Sequence, residues 1–424
     1  MKKILLFGAG KSATCLIDYL IKETAINKWQ LVVADGNLTL TRSKLGQATH
    51  AQAIAIDVEN EPARKALVKD ADIVISLLPP GLHFLIAKDC IEFSKNLLTA
   101  SYVDDKIKTL GPEIKDKGLL FLCEMGLDPG IDHMSAMELI HRIKEKGGNI
   151  SSFKSHTGGL IALESDNNPW HYKIRWNPRN VVMAGAAGAV YKENDKIKNK
   201  DYTELFNKCR EVMIPGIGQL AWYPNRDSLA YIPVYQLEEA TTFIRTTLRY
   251  PVFCTSWKSV VAAGLTNDKK IINTDNLDYK KWAAPIIPFI SDQNKTQLAF
   301  LGLFDELPVP ASAKTNADIL QYLLETKLPM LPHDKDMIVM LHELAYEIQN
   351  TKYEVRSELV VKGEDNVRTA MAKTVGLPLG IAAILMMQGK INITGLHIPI
   401  LPEIYIPVLK ELEQHGVQFT EAIS

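Results

Sequence analysis

Short apolar runs alternate with amphipathic stretches over the first 130 residues of the chain. Residues 4–7 form an apolar run that ends at Gly8, and apolar positions in 16–21 then recur on one helical face. Such runs predict buried strands, and such faces predict helices packed on them. Because strands and helices alternate, the pattern predicts a doubly wound parallel α/β sheet of Rossmann type. The five further predicted strands cover residues 30–34, 53–56, 72–78, 96–100 and 119–123.

The pattern changes near residue 150, where predicted strands mix polar and apolar residues as a sheet with one open face requires. The region 257–350 has a mainly helical pattern. Residues 369–387 predict a helix of small residues that can pack closely on a sheet. The predicted strands of this second part cover residues 151–159, 181–183, 230–235, 241–248 and 353–361.

The strand–turn–helix at the start of the chain carries the pattern Gly8-x-Gly10-x-x-Ala13, which is typical of dinucleotide sites. Gly8 permits a tight turn, Gly10 permits close approach to a pyrophosphate, and Ala13 keeps the helix near the strand. The N–H groups at the helix start favour phosphate. An ordinary tight turn is the alternative. The predicted cofactor-binding residues include the six residues of this turn and three residues that follow later strands. They are Gly8, Ala9, Gly10, Lys11, Ser12 and Ala13 in the turn, and Asp57, Leu78 and Pro79 after the strands.

Asp35 ends the second predicted strand, near the distance from the glycine turn at which a carboxylate meets the adenosine ribose. A carboxylate there accepts hydrogen bonds from both ribose hydroxyls and repels a 2′-phosphate. Asp35 therefore favours NAD as the cofactor over NADP. The same residue, in the sequence Asp-Gly-Asn, is also compatible with an ordinary turn.

The amino-acid composition indicates the general class of the protein and the kinds of partner that it does not bind. The 424 residues are 46% hydrophobic and 23% charged, with a formal net charge of −1, so we expect a soluble protein with neither nucleic acid nor membrane as a partner. No apolar run approaches the roughly 18 residues of a transmembrane helix, and the chain begins directly with a strand, which argues against a signal peptide. The five scattered cysteines lack a CxxC pair, which predicts free thiols and a cytoplasmic protein.

Polar residues follow the fifth and sixth predicted strands, at the edge of the sheet where α/β proteins bind ligands. Ser101 and Tyr102 come after the fifth strand, and Asp128 follows the sixth. Asp128 is the first candidate for catalytic proton transfer and Tyr102 the second, although Asp128 alone could be a helix N-cap. His133 and His156 could also act as bases, but single histidines are more often structural. No metal-ligand spacing occurs, so we predict no metal site.

Several sequence blocks resemble the saccharopine reductases, the glutamate-forming saccharopine dehydrogenases. The blocks occur in the family's order over nearly the whole chain, and together they are far more specific than the glycine pattern. They are Gly126-Leu-Asp-Pro-Gly-Ile-Asp-His133, His156-Thr-Gly-Gly-Leu160, Ser165-Asp-Asn-Asn-Pro169, Tyr172-Lys-Ile-Arg-Trp176, Tyr223-Pro-Asn-Arg-Asp-Ser228, Thr247-Leu-Arg-Tyr250 and Thr369-Ala-Met-Ala-Lys-Thr-Val-Gly376.

The resemblance implies oxidation of saccharopine to L-glutamate and L-2-aminoadipate 6-semialdehyde, or the reverse reductive amination, by hydride transfer with NAD or NADP. It implies a cytoplasmic homodimer of lysine metabolism that acts on a small amino-acid substrate. It also implies a Rossmann domain at 1–130 completed by about 369–424. The other implied parts are a mixed α/β substrate and dimerisation domain at 131–256 and about 351–368, and a mainly helical insertion at 257–350.

The family's substrate pocket, carried over residue by residue, implies a set of substrate contacts. Arginines suit saccharopine, which bears three carboxylates, because a guanidinium pairs with a carboxylate bidentately. Arg226 is the first candidate for this role, and Arg245 and Arg249 are further candidates that could instead be solvated on a strand. Thr157 replaces the cysteine of many relatives. The implied contacts are Ser101, Tyr102, Asp128, Thr157, Gly158, Trp176, Arg226 and Arg245.

Hydride can leave the substrate carbon only when the amine nitrogen is neutral, so a group must first accept the proton of the secondary ammonium. Asp128, Tyr102, a substrate carboxylate or a water molecule could accept it. Two alternative functions stay open at this point. One is a related enzyme that couples amines to semialdehydes, as in carboxynorspermidine formation, and Arg226 argues against it. The other is a non-catalytic dinucleotide-binding scaffold, and the blocks around Asp128 and Arg226 argue against that.

Overall fold

Strands and helices alternate through the first 145 residues of the computed structural model, which describes residues 1–174 and 176–424. The strands are apolar runs, and four of the five residues of the first one are buried. The strands are β1 (Lys3–Phe7), β2 (Gln30–Asp35), β3 (Ala51–Ala55), β4 (Ile73–Ser76), β5 (Asn96–Thr99) and β6 (Leu120–Leu122). The helices are α1 (Thr14–Asn27), α2 (Leu38–Leu45), α3 (Glu61–Lys69), α4 (His83–Glu92), α5 (Asp105–Thr109), α6 (Gly111–Asp116) and α7 (Ile131–Glu145).

The rest of the chain contains longer strands and a group of short helices. The strands are β7 (Asn149–Ile161), β8 (Ala189–Glu193), β9 (Lys196–Lys200), β10 (Arg210–Ile214), β11 (Gly218–Pro224), β12 (Arg226–Asp227), β13 (Thr242–Arg249), β14 (Asp336–Ile348) and β15 (Thr351–Lys362). The helices are α8 (Pro178–Val182), α9 (Tyr202–Leu205), α10 (Ile232–Tyr235), α11 (Pro251–Ala262), α12 (Tyr279–Trp282), α13 (Asp292–Phe300) and α14 (Asn316–Lys327). The chain ends with α15 (Ala370–Met387), β16 (Gly395–His397), α16 (Pro402–Gln414) and β17 (Thr420–Ile423).

Unit 1 comprises Met1–Arg142 and Ala370–Gln418 and contains one sheet of seven parallel strands. The strand order is β16-β6-β5-β4-β1-β2-β3, and this confirms the predicted doubly wound parallel sheet. The seventh strand, β16, was not predicted. It has three residues, which is too short for a recognisable apolar pattern, and it pairs with β6.

Helix α15 packs closely on α1 because Gly376 has no side chain at the contact. A Cβ atom built on Gly376 would lie 3.0 Å from the backbone nitrogen of Leu16. The helix has 18 residues and a mean hydropathy of 1.7, which are the length and hydropathy of a membrane span. The prediction that no apolar segment is long enough for a transmembrane helix is therefore wrong. Since 67% of the helix is buried inside the protein, the same properties are those of a core helix.

Unit 2 comprises Ile143–Thr369 and Phe419–Ser424 and is built on a mixed sheet of ten strands. The main path runs β10-β11-β13-β7-β14-β15-β17, and β8 pairs with β9, β12 and β13. Within it, β7 is parallel to β13 and antiparallel to β14. A separate apolar core that includes Trp257, Leu298 and Leu320 joins α11, α13 and α14.

Several sequence-based predictions for unit 2 are wrong. The predicted strand at 181–183 overlaps α8, and the one at 230–235 is a 3₁₀ turn followed by α10. Each of these helices has a proline in its first turn, where the missing N–H is tolerated. The predicted helical region 257–350 contains β14, whose first seven residues are all buried. Burial on both faces removes the polar–apolar alternation that identifies a strand.

The boundaries of the units also differ from those expected. The first boundary follows Arg142 instead of residue 130. The last six residues, expected with the first domain, belong to unit 2 because β17 pairs with β15. The pairing of two strands far apart in sequence is not visible in a local pattern.

Gly158 lets β7 approach β13. A Cβ atom built there would lie 2.5 Å from Cβ of Leu248 and 2.9 Å from its carbonyl oxygen. We expect Gly158→Ala to lower the free energy of unfolding in urea by about 1–3 kcal/mol, because the added methyl group forces the strands apart. Gly111→Ala is the matched control, since a Cβ atom there would contact nothing within 4 Å. Equal stability of the two variants would contradict this packing.

Candidate active site

The glycine turn after β1 has the geometry that the sequence predicted. Gly8 has a φ of +100° and its N–H donates to the carbonyl of Ala34 at 2.9 Å. A Cβ atom on Gly8 would lie 2.8 Å from the carbonyl oxygen of Leu77, so a side chain there would collide with the segment after β4. A Cβ atom on Gly10 would meet nothing within 4 Å. The backbone at Gly10 is therefore open to the approach of a pyrophosphate.

A cavity of about 560 Å³ lies beside this turn, at the carboxyl ends of β1, β2 and β3. Asp35, Asp57 and Leu78, three of the predicted cofactor residues, line it together with apolar side chains such as Ile56. Its place in the sheet and its mixed apolar and acidic lining fit the adenosine half of a dinucleotide. Pro79 lies next to Leu78, directly before a 3₁₀ turn.

The carboxylate of Asp35 connects the glycine turn to its own loop. Oδ2 accepts a hydrogen bond from the N–H of Ala9 at 2.7 Å, and Oδ1 accepts one from the N–H of Asn37 at 2.7 Å. Lys44 holds the other side of the turn, because its Nζ donates to the carbonyl of Gly10 at 2.6 Å. The bond from Asn37 is the turn role that the sequence offered as an alternative for Asp35, and the bond from Ala9 is a second structural role that the sequence did not indicate.

The structure brings the two candidates for proton transfer together. The hydroxyl of Tyr102 donates to Oδ1 of Asp128 at 3.0 Å. Tyr102 follows β5, and Asp128 lies in the loop between β6 and α7, joined to Pro129 by a cis peptide bond. Because parallel strands end at one edge of the sheet, residues 26 apart in sequence meet there. Tyr102 and Asp128 can therefore share a proton pathway.

A buried glutamate and histidine lie behind this pair. Glu124 has a φ of +58°, unusual for a residue with a side chain, and Oε1 accepts from the N–H of Val103 at 3.1 Å. Its Oε2 lies 2.9 Å from Nε2 of His133. The Glu124–His133 pair thus fixes the loop that carries Tyr102. This geometry supports the structural role for His133 that the sequence left open.

The sequence analysis missed His83, the first residue of α4. Its Nδ1 lies 2.8 Å from Oγ of Ser76, and its Nε2 lies 2.8 Å from Oγ of Ser101 and 3.3 Å from Oγ1 of Thr99. Burial lowers the pKa of His83 to about 4, although the charge of Asp104 opposes this shift. No local motif contains His83, and only the adjacency of β4 and β5 reveals its contact with Ser101.

In unit 2, three side chains of β13 share one face of the strand. Strand alternation places Arg245, Thr247 and Arg249 on the same side, and Thr247 pairs with Thr157 of the neighbouring β7. Arg245 is buried, and its guanidinium carbon lies 4.4 Å from the centre of the Tyr231 ring. The structure thus places Thr157 and the two arginines on one face of this sheet.

Arg249 is the more unusual of the two arginines. Its side chain is only 5% exposed, and Nη1 donates to the carbonyl of Leu248 at 2.9 Å. Within residues 1–174 and 176–424, its buried Nε has no hydrogen-bond partner, and no carboxylate pairs with the guanidinium. A buried charge without a counter-ion is costly. Arg249 is therefore suited to accept a carboxylate from a ligand.

The remaining predicted substrate residues occupy other environments. Arg226 lies in the exposed two-residue strand β12 with a φ of +50°. The neighbouring Asn225 donates its N–H to the carbonyl of Arg245 at 2.8 Å, so β12 begins beside β13. Nε1 of Trp176 donates to the hydroxyl of Tyr172 at 3.4 Å at the margin of the helical core. The substrate contacts of Arg226, Arg245, Trp176, Thr157 and Gly158 stay predictions.

His156, the other histidine considered as a base, belongs to a buried network in the second sheet. Nδ1 lies 2.7 Å from Oγ1 of Thr246, and Nε2 lies 3.2 Å from a carboxylate oxygen of Glu343. Arg356 donates to the other oxygen of Glu343 at 2.8 Å. Burial lowers the pKa of His156. These contacts give His156 a structural role. Throughout the described ranges, no three His, Cys, Asp or Glu side chains form a group that could hold a metal ion.

Comparison with known protein families identifies both parts of the chain. Residues 4–122 match the saccharopine dehydrogenase NADP binding domain, and residues 126–417 match the saccharopine dehydrogenase C-terminal domain. The chain belongs to the saccharopine dehydrogenase family. The family resemblance seen in the sequence blocks is thereby confirmed.

Individual relatives agree with this assignment. The saccharopine dehydrogenase [NADP(+), L-glutamate-forming] of Saccharomyces cerevisiae is 32% identical over 99% of this chain and 99% of its own. A solved apo structure of the yeast enzyme has a TM-score of 0.90 at 31% identity and covers 100% of both chains. A homospermidine synthase from Legionella pneumophila, at 9% identity and a TM-score of 0.60, shares the fold alone.

Other relatives are about twice the length of the given chain. The alpha-aminoadipic semialdehyde synthase of Bos taurus is 34% identical over 99% of this chain but only 47% of its own length, and the Arabidopsis thaliana synthase is 32% identical over 44% of its length. The chain therefore spans about half the length of these relatives.

The names of the matched family and of the yeast relative point to NADP. They confirm a dinucleotide-binding domain, and they count against the preference for NAD that Asp35 indicates. The hydrogen bond from Ala9 to Asp35 supplies a reason for an acidic residue here that does not depend on the ribose.

The buried histidine of unit 1 makes stability depend on pH. The folded pKa of His83 is about 4 and its ordinary value is 6.5, so the unfolded chain binds a proton more readily between these values. Stability is full above about pH 6.5 and is lost as pH falls toward 4, by up to about 1.4 kcal/mol per pH unit. We expect His83→Gln to reduce this slope in urea unfolding at pH 4–7. An unchanged slope would contradict the burial of a neutral His83.

Proposed function

We propose that this protein catalyses the dinucleotide-dependent oxidation of saccharopine to L-glutamate and L-2-aminoadipate 6-semialdehyde, or the reverse reductive amination. The observation that carries the proposal is the hydrogen bond between Tyr102 and Asp128 at the carboxyl edge of the Rossmann sheet. The full-length similarity to the L-glutamate-forming yeast enzyme supports the same reaction.

Asp128 is the group proposed to accept the proton of the secondary ammonium. A carboxylate that accepts a hydrogen bond from Tyr102 is held in one orientation, and the hydroxyl can pass the proton onward. The neutral amine can then lose hydride from the adjacent carbon. Loss of hydride leaves a protonated imine, and water adds to it with release of one proton. The nitrogen of the carbinolamine then takes up a proton, and the C–N bond breaks to release glutamate and the semialdehyde. Asp128 and Tyr102 can transfer protons in these later steps as well.

The residues of unit 1 fit a dinucleotide. The backbone at Gly10 is open for the pyrophosphate, and the cavity at Asp35 and Asp57 suits the adenosine. When bound, the dinucleotide supplies the acceptor for the hydride. The chain's own contribution is to hold it at the edge of the sheet that also carries Ser101 and Tyr102.

Arg249 and Arg245 are proposed to bind substrate carboxylates. Saccharopine has three carboxylates, and the guanidinium of Arg249 is buried without a carboxylate partner in the described parts of the chain. An incoming carboxylate would supply its missing counter-ion. Thr157 and Thr247, on the same face of the sheet, can add hydroxyl contacts.

We further propose a cytoplasmic homodimer. The five cysteines are free and three of them are buried, as in proteins of a reducing compartment. The dimer is proposed from the family resemblance.

The experiment that tests the function measures reduced-nicotinamide absorbance with saccharopine and either NAD or NADP. We expect activity in the wild type. For Arg249→Met we expect KM for saccharopine to rise about tenfold to a hundredfold, because a charge-assisted hydrogen bond contributes about 1.5–3 kcal/mol. KM for the dinucleotide should change little.

Arg210→Met is the matched control, since Arg210 is a solvent-accessible arginine paired with Glu193 in the same unit. It should leave KM for saccharopine unchanged. A wild-type protein that is inactive with saccharopine and both dinucleotides would overturn the proposed reaction. A normal KM in Arg249→Met would overturn only the role of this arginine.

We propose that Asp35 lowers the affinity for the 2′-phosphate of NADP. Asp35→Asn removes the charge but retains an oxygen that can accept from Ala9. We expect it to raise the ratio of kcat/KM with NADP to kcat/KM with NAD at least tenfold, since a negative charge no longer repels the phosphate. Asp57→Asn, which removes a charge from the same cavity, should change the ratio less than threefold. An unchanged ratio in Asp35→Asn would refute the assignment.

A further inference from the structure

His83 connects the ends of two neighbouring strands of the Rossmann sheet. Ser76 is the last residue of β4, and Ser101 lies just beyond β5. The two ring nitrogens of His83 each lie 2.8 Å from one of these hydroxyl oxygens. A single imidazole therefore spans from the strand beside the cofactor cavity to a predicted substrate residue.

The chemistry of the ring suits this bridge. His83 is 4% exposed and neutral at ordinary pH, so it provides one N–H donor and one acceptor. Hydroxyl groups can serve as either donor or acceptor, so both ring nitrogens can be satisfied at once. Because a neutral imidazole donates through one ring nitrogen and accepts through the other, the hydroxyls of Ser76 and Ser101 take opposite roles, one accepting from the ring and the other donating to it.

The backbone of Ser101 is held by other contacts. Its carbonyl accepts from the N–H of Glu124 at 3.1 Å, and its N–H donates to Oγ1 of Thr99 at 3.3 Å. In the portion of the chain that the structure describes, His83 is the hydrogen-bond partner of its hydroxyl oxygen. The backbone contacts set where Ser101 lies, and the contact with His83 sets where its hydroxyl points.

We propose that His83 is a positioning residue that acts through Ser101, holding the Ser101 hydroxyl in the rotamer that contacts the amino-acid substrate. The inference rests on the proposed function for the identity of that substrate. It adds a residue outside the predicted substrate set, and it gives Ser76 the role of orienting the ring. A purely structural His83 would instead tie α4 to the sheet, and its loss would affect stability independently of Ser101.

A double-mutant cycle on the full chain separates these two roles. His83→Phe keeps a planar ring and removes its hydrogen bonds to Ser76, Thr99 and Ser101, and Ser101→Ala removes the hydroxyl. We expect each single variant to raise KM for saccharopine about tenfold with a smaller change in kcat. The double variant should be no worse than the more affected single variant, because the two changes break one interaction.

Two further variants complete the design. His83→Gln can still reach Ser101 with its side-chain amide and should recover most of the lost affinity. His50→Gln is the matched control, because His50 is a partly buried histidine of the same unit whose Nε2 lies 2.9 Å from the carbonyl of Ile21. It should leave KM unchanged. Effects of His83→Phe and Ser101→Ala on KM that multiply in the double variant would overturn the proposal.

A measurement without substrate keeps this inference separate from the proposed reaction. In ¹⁵N-histidine-labelled protein, Ser101→Ala should shift the Nε2 resonance of His83, and Ser76→Ala should shift its Nδ1 resonance. If the Nε2 resonance of His83 does not shift in Ser101→Ala, the positioning role is overturned whatever the substrate is. If the protein is inactive with saccharopine but the Nε2 resonance shifts in Ser101→Ala, the proposed reaction is refuted and the contact between His83 and Ser101 is supported.

Discussion

The requirement that parallel strands end at one edge of a sheet determines the arrangement of unit 1. β4, β5 and β6 are neighbours in the sheet, so the segments that leave their carboxyl ends are forced together. Ser76 ends the first of these strands, Ser101 and Tyr102 follow the second, and Asp128 follows the third. The hydrogen bond from Tyr102 to Asp128 and the bridge made by His83 both follow from this adjacency.

Gly8 allows the segment after β4 to lie next to the turn after β1, beside the cofactor cavity. The segment after β4 passes so close to the turn after β1 that Gly8 has no room for a Cβ atom. Asp35 and Lys44 then hold the turn from two sides, through the N–H of Ala9 and the carbonyl of Gly10. A preformed turn loses less conformational entropy when a ligand binds. The acid at the end of β2 therefore supports the binding loop as well as facing the cavity.

The second unit contains two buried cations, Arg245 and Arg249. Two arginines on one face of β13 are almost fully removed from solvent and lie against aromatic rings. Aromatic faces compensate part of the lost hydration of a guanidinium. For Arg249 the compensation is incomplete in the described residues, since its Nε is buried without a partner. Such a charge is destabilising unless a counter-ion pairs with it, and a ligand carboxylate would supply one.

The sequence by itself determined the Rossmann sheet, the glycine turn and the family, because each depends on residues close together in the chain or on whole blocks of sequence. Apolar runs separated by helical faces predicted β1 to β6 within a few residues. Only the tertiary structure decided which distant residues meet. The sequence pattern did not predict β14, because burial on both faces removes the alternation of polar and apolar residues. The burial of Arg245 and Arg249 depends on how the strands pack, so the sequence did not predict it either. His83 met Ser101 because two strands are neighbours in the sheet, and local sequence patterns contain no information on strand order.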